Sequence, residues 1–122
     1  MGKMYFTKEH EWILVDGDEA QIGITPYAVK ELGQIVFVEL PVVDTIADKG
    51  DSFAVVESVK AASDIYMPIY GKVIRVNEEL EDAPQLLNEE EYVYIAVIED
   101  FEEVEFDELM NESEYEKYLN TL

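Results

Sequence analysis

The most constraining feature of this sequence is its punctuation. Short apolar runs, rich in β-branched residues, are each ended within a few positions by a turn or helix-stop signal. Runs of that length cannot build long helices, and each suits one strand of a small sheet. Residues 12–15 and 20–24 flank Asp16-Gly17 and predict a hairpin with a type I′-like turn. Thr25-Pro26 supplies an N-cap followed by proline at the first helical position, and Gly33 stops that helix after Leu32 in a left-handed cap. A strand is expected over 34–40, ended by Pro41, and a turn at Asp48-Lys49-Gly50-Asp51. Two strands over 53–58 and 62–67 surround Val59-Lys60-Ala61, and Gly71 breaks the chain before another over 72–76.

Beyond residue 77 the pattern changes. Asp82 is expected to cap a short helix over 83–87 with Pro84 in its first turn, and 92–98 reads as a last strand returning to the sheet. Phe101, Val104 and Leu109 then interleave with acids at roughly helical spacing. Ser113 is expected to cap a terminal helix on which Tyr115, Tyr118, Leu119 and Leu122 recur at three- and four-residue steps. The fold class this implies is mostly β with flanking helices (α+β), in one domain over 1–122 with a C-terminal helical tail at about 102–122. With 122 residues, 48% of them hydrophobic, the chain can bury a core without staples.

Composition then narrows the chemistry. The sequence has no cysteine, which rules out disulfides, a thiol nucleophile and thiolate metal sites, and one histidine, His10, which rules out any site needing two imidazoles. No Ser has a partner pattern for nucleophilic catalysis, and His10 beside Trp12 is read as structural. A non-enzymatic protein is expected. The formal charge is −21, so nucleic acid and anionic membranes are poor partners. That charge is uneven: residues 1–76 hold 12 acidic and 7 basic side chains, net −5, whereas 77–122 hold 17 acids and only Lys117, net −16. Charge runs of this kind are ordinarily solvated faces. The opening Met-Gly-Lys-Met-Tyr-Phe has no apolar h-region behind its Lys, position 6 is Phe where a myristoylation signal needs Ser or Thr, and no apolar run approaches a membrane span. A soluble, cytoplasmic protein is the expectation.

One segment carries more specific information: Glu57-Ser58-Val59-Lys60-Ala61-Ala62-Ser63-Asp64, with a lysine midway between two extended apolar runs. A lysine at a hairpin tip projects its four-carbon stem into solvent, which by itself is ordinary. The segment, however, resembles the lipoylation motif of glycine cleavage system H proteins. His10-Glu11-Trp12, Ile22-Gly23-Ile24-Thr25, Leu32-Gly33, Ile35-Val36-Phe37-Val38-Glu39-Leu40-Pro41, Gly71, Val76-Asn77 and Glu81-Asp82-Ala83-Pro84 also stand where that family has them. The resemblance covers residues 5–89 closely and the tail loosely. Related lipoyl domains usually show Asp-Lys-Ala at the tip and biotinyl domains Met-Lys-Met. Val-Lys-Ala preceded by Glu57-Ser58 favours the H protein.

The resemblance implies a barrel-sandwich hybrid of the lipoyl/biotinyl type, with a lipoyl hairpin around 53–67 and lipoate amide-linked to Lys60. It implies a carrier that takes a methylamine group from glycine decarboxylase (P protein) to aminomethyltransferase (T protein), and that is reoxidised by dihydrolipoyl dehydrogenase (L protein) after modification by lipoylating enzymes. Tethering raises the effective concentration of the reactive group at each partner. Glu11 and Asp64 stand where the family places groups near the docked arm, and a carboxylate suits an ammonium cargo. The alternatives are that Glu11 pairs with Lys8 and that Asp64 caps a turn. Glu57 is a candidate for recognition by modifying or partner enzymes, or a solvent-facing strand residue. No metal site is expected.

The resemblance is weakest over 90–98. Family members commonly carry Pro-Tyr-Gly-x-Gly-Trp before the last strand, whereas here Asn88-Glu89-Glu90-Glu91 runs directly into Tyr92-Val93-Tyr94-Ile95. Glu31 stands where some members have His. These departures leave the hairpin untouched and keep a second reading open, an H-like donor that relays lipoyl groups to other proteins. A third, an unmodified acidic interaction module, requires that Lys60 never be acylated.

Overall fold

The computed structural model describes residues 2–122. Two antiparallel sheets that do not close on each other carry the architecture. The larger has the order β1-β2-β3-β9-β8-β5, from β1 (Lys3–Phe6), β2 (Glu11–Asp16), β3 (Glu19–Ile24), β5 (Ile46–Ala47), β8 (Gly71–Val76) and β9 (Tyr94–Glu99). The smaller has the order β4-β6-β7, from β4 (Ile35–Glu39), β6 (Ser52–Ser58) and β7 (Ala62–Tyr66). The mostly β character with short helices expected from the sequence is what the structure has. Strands β1 and β5 were not anticipated: β1 is a four-residue edge strand and β5 only two residues long.

The β2–β3 hairpin differs from expectation by one position. Asp16 pairs with Glu19, so the loop is Gly17-Asp18, and only Gly17 has positive φ (64°). Glycine at the first central position with an ordinary residue after it makes the turn II′-like rather than I′. Helix α1 (Pro26–Leu32) starts as expected, with Thr25 Oγ1 accepting the Ala28 N–H at 3.3 Å. It stops as expected at Gly33, whose N–H donates to Val29 O at 2.9 Å, but at φ 86° and ψ −152°, an extended glycine conformation in place of the left-handed helical cap.

The expected helix over 83–87 is instead two single turns, α2 (Glu79–Asp82) and α3 (Leu86–Glu89). Asp82 ends the first and caps nothing. Pro84 pushes the residue before it out of the helical region, and Ala83 sits at φ −135°, ψ 63°. Each turn is anchored by one buried leucine, Leu80 and Leu87. The last strand begins two residues later than expected because Tyr92 adopts φ 57°, which no extended strand accommodates.

Beyond β9, residues Glu103–Glu108 form a 3-10 segment, and helix α4 spans Glu112–Leu119. Its cap is Asn111, not Ser113: Asn111 Oδ1 accepts the Glu114 N–H at 2.8 Å and Glu114 Oε1 accepts the Asn111 N–H at 2.9 Å. Both Asn111 and Ser113 have glutamate three residues on, so the local pattern fits either. Tertiary structure decides. Met110 is held extended by a two-bond bridge to Phe6, leaving Asn111 as the first residue free to open a helix.

The core follows from strand alternation. Ile35, Val38, Ala54, Val56 and Ile65 from the small sheet pack with Leu80, Leu87 and Ile95. Ile13, Ile22, Met67, Ile69, Val73 and Ile98 form a second cluster, against which Phe101, Phe106 and Leu109 pack. Helix α4 covers the third, in which Tyr115 stacks on Phe6 at 4.6 Å and Trp12 is buried. The tail thus covers one side of the β structure through Phe101, Leu109, Tyr115, Tyr118 and Leu119, whereas Val104 and Leu122, expected on the same apolar spacing, are exposed, Leu122 beyond the end of α4.

Candidate functional site

Lys60 stands at the tip of the β6–β7 hairpin, exposed, between Val59, which is 67% exposed, and Ala61. Serine before the tip explains its shape. The buried Ser58 hydroxyl accepts N–H bonds from Ala61 at 3.1 Å and Lys60 at 3.3 Å, while the Ser58 N–H donates to Ala61 O at 2.7 Å. A serine side chain thereby closes the turn that a backbone carbonyl would otherwise close. The tip is tied to the body through Val59, whose N–H donates to Gln34 O at 3.0 Å. The lysine stem passes over Gly33: a Cβ there would lie 3.6 Å from Lys60 Cε, and Gly33 has φ 86°, a conformation suited to glycine. Among the described residues Lys60 Nζ has no salt-bridge partner, so its amine is free to be acylated.

The register aligns several candidate residues on one face. Phe37, Glu57 and Ala62 form one cross-strand row, and Glu39, Val55 and Asp64 the next. Residues 54, 56, 58 and 65 point inward and are buried, so these rows make the outer face of the small sheet. Glu57 and Asp64 are diagonal neighbours on it. Asp64 is exposed and accepts the Ser52 hydroxyl at 3.0 Å across the strands, so it does not cap a turn. Glu57 is half-buried between Phe37 and Ala62.

Two residues beyond Asp64 on the same face, Tyr66 leads into a groove of about 570 Å³. Its walls include Glu11, Thr7, Lys8, Tyr66, Glu108 and Met110. An ion pair between Lys49 and Glu108 spans part of it. Glu11 is only 3% exposed. Burial pushes its carboxyl up to about 7, against the pull of the Thr7 hydroxyl, which donates to Oε1 at 2.7 Å, and of the Tyr66 backbone; Glu9 adds to the rise. Lys8 does not pair with Glu11 but lies over the Tyr118 ring, 5.9 Å from its centroid. The groove therefore joins Glu11 to Tyr66, and Asp64 stands outside it, one same-face step toward the tip.

His10 sits apart from this face. Its Nδ1 is 2.8 Å from the Tyr115 hydroxyl, which is also 2.8 Å from Thr25 Oγ1, and its ring lies 4.6 Å from that of Tyr27. Burial lowers its pKa, with Glu9 and Glu31 opposing. The network joins α4 to the cap of α1, a structural task. Ser58 and Gly33 stand in the segments that carry the resemblance but have no role at the tip there, and Thr7, Tyr66 and Asn88, whose side-chain amide holds Gly33 O and the Ile35 N–H, are not singled out as site residues. Ser58 and Tyr66 carried a signal, a serine three residues before the end of a turn and an even spacing from Asp64. Thr7 is only four residues from Glu11, whereas Gly33 and Asn88 come to the tip only through tertiary contacts.

Comparison with known proteins gives a consistent result. A family model described as "Glycine cleavage H-protein" matches residues 4–122. The chain is 53% identical over 116 residues to a glycine cleavage system H protein of Carboxydothermus hydrogenoformans, covering 93% of this chain and 89% of the relative. It is 51% identical over 116 residues to one of Alkaliphilus oremlandii, covering 94% and 91%. Among solved structures, that of a glycine cleavage system H protein from Mycobacterium marinum superposes with a TM-score of 0.85 at 33% identity, over 100% of this chain and 99% of that one.

Proposed function

The chain belongs to the glycine cleavage H-protein family, the lipoyl carriers of the glycine cleavage system, and from that membership we propose that Lys60 is its lipoyl-bearing residue. The observation that carries this reading is the position of Lys60, without a salt-bridge partner among the described residues and at a tip whose shape Ser58 and Val59 fix. Acylation would convert the lysine cation into a neutral amide. The bound lipoyl group supplies the dithiol chemistry that carries a methylamine cargo. The protein supplies the rest. The outer face of the small sheet gives the arm a route past Asp64 and Tyr66, and the groove receives its far end beside Glu11. Oxygen acceptors at Asp64 and Glu11 suit an ammonium, and a cationic cargo would draw the Glu11 carboxyl back toward its ionised form. The half-buried Glu57 stands one row from the tip, where an enzyme working on Lys60 can read it.

The partners that follow are glycine decarboxylase, aminomethyltransferase, dihydrolipoyl dehydrogenase and a lipoyl-attaching enzyme, with the carrier as one cytoplasmic domain. Among the described residues no helix is long and apolar enough to cross a membrane. Intact-mass measurement and peptide mapping of chain from its native host are expected to place one lipoyl group on Lys60. Free lysine throughout would overturn the proposal. Glycine-dependent CO₂ exchange with the host decarboxylase is expected of the lipoylated chain, whereas full lipoylation without exchange would favour a lipoyl-relay role.

A further inference from the structure

Asn88 is exposed, yet both ends of its side-chain amide are engaged with one short stretch of backbone. Its Oδ1 accepts the Ile35 N–H at 2.8 Å, and its Nδ2 donates to Gly33 O at 2.9 Å. Both partners are main-chain groups of fixed polarity, so only one orientation of the amide satisfies them. The residue between them is Gln34, whose carbonyl accepts the Val59 N–H at 3.0 Å. Asn88 thus grips the chain on either side of the carbonyl that holds the tip.

The β4–β6 pairing holds the strands up to Ser58, which is opposite Ile35, and beyond it that carbonyl holds the tip itself. The bonds made by Ser58 are internal to the hairpin and set the shape of the turn, not its direction. Among the described residues, Val59 to Gln34 is the only hydrogen bond from residues 59–61 to a residue outside the β6–β7 hairpin. The ledge is also a conformation that needs holding: Gly33 has φ 86°, and a register shift interrupts the β4–β6 pairing just beyond, between Ile35 and Phe37. Glycine has the largest backbone freedom to lose, so an external clamp has most to do beside it.

We propose that Asn88 is the positioning residue of the carrier tip. It keeps the 33–35 ledge in the conformation that offers Gln34 O to Val59, and so sets the direction in which the Lys60 stem leaves the body. The consequence falls on any enzyme that must bind the tip with Lys60 Nζ facing its reacting carbon, because a tip that also visits other directions presents only part of its population to that enzyme and binds more weakly in proportion. This rests on Lys60 as the attachment residue. In attachment from lipoyl adenylate, the Nζ–acyl bond forms as the acyl–phosphate bond breaks, releasing AMP and a proton.

The test compares the full chain with its Asn88→Ala and Asn88→Asp variants, using lipoyl adenylate and a lipoyl-attaching enzyme, with intact mass as the readout. Asn88→Ala is expected to raise the KM for the chain about five-fold, the scale of a lost hydrogen bond, while kcat changes less than about two-fold. Asn88→Asp keeps the acceptor for Ile35 but sets a carboxylate oxygen against the Gly33 carbonyl, and is expected to raise KM at least as much as Asn88→Ala. Amide exchange at Val59 is expected to quicken about tenfold in Asn88→Ala, with Val56 in the strand unchanged, because the opening is local. A wild-type KM in Asn88→Ala overturns the proposal even where Val59 exchanges faster. A wild-type chain that takes no lipoyl group on Lys60 overturns the attachment reading and this proposal with it, so the wild-type control tells the two failures apart.

Discussion

Glu11 is a carboxyl group placed where its charge is unwelcome. Its pKa is raised from an ordinary 4.5 to about 7, so between those pH values the folded chain keeps a proton that the unfolded chain releases. Stability from this group is therefore greatest at low pH and declines as pH rises through that window, by about 3 kcal/mol in total. Glu11→Gln removes the titration. Relative to wild type, the variant is expected to gain about 2–3 kcal/mol in unfolding free energy on going from about pH 5 to about pH 8, as measured by urea unfolding. A difference between variant and wild type that does not change with pH would show that the carboxyl is not held against ionisation. Glu11 could be singled out in the sequence only through family resemblance. Its burial depends on a groove wall formed by Tyr66 and Met110, which local spacing does not bring together.

At the scale of elements, legibility followed how local each signal was. The β6–β7 hairpin, α1 with its Thr25 cap, and the apolar alternation of β2, β3 and β8 were readable because neighbouring residues determine them. The strand β1 and the start of α4 were not: β1 is a four-residue edge strand defined by its pairing with β2, and α4 starts where the Phe6–Met110 bridge between the two ends of the chain leaves off. This gives the cap of α4 a discriminating test. Asn111→Ala is expected to cost about 1 kcal/mol, the usual value of an N-cap, with Ser113→Ala within about 0.5 kcal/mol of wild type. Denaturant midpoints of the two variants check it, and the reverse order would restore Ser113 as the cap. Asn88 is the extreme case of an illegible residue. It lies 53 positions from Ile35, and nothing in its own surroundings in the sequence marks it.

Across the whole molecule, the concentration of −16 in residues 77–122 is partly consumed within the fold. Glu105 accepts the Tyr70 N–H, Glu108 pairs with Lys49, and Glu114 closes the cap of α4. The many remaining acids face water and create a long-range field. Association with a partner that presents a basic docking surface is expected to slow at least about tenfold when the screening length falls from about 30 Å at 0.01 M salt to about 8 Å at 0.15 M. Stopped-flow association rates measure this, and rates independent of salt would remove electrostatic steering from partner choice. The small sheet separates two demands on the same strands. In β6 and β7, side chains that hold the core alternate with side chains on the outer face, so replacing Glu57, Val55 or Asp64 leaves Ala54, Val56 and Ile65 in place. Lineages descended from this chain can therefore rewrite the outer face by changing every second residue, while inheriting the same core unaltered.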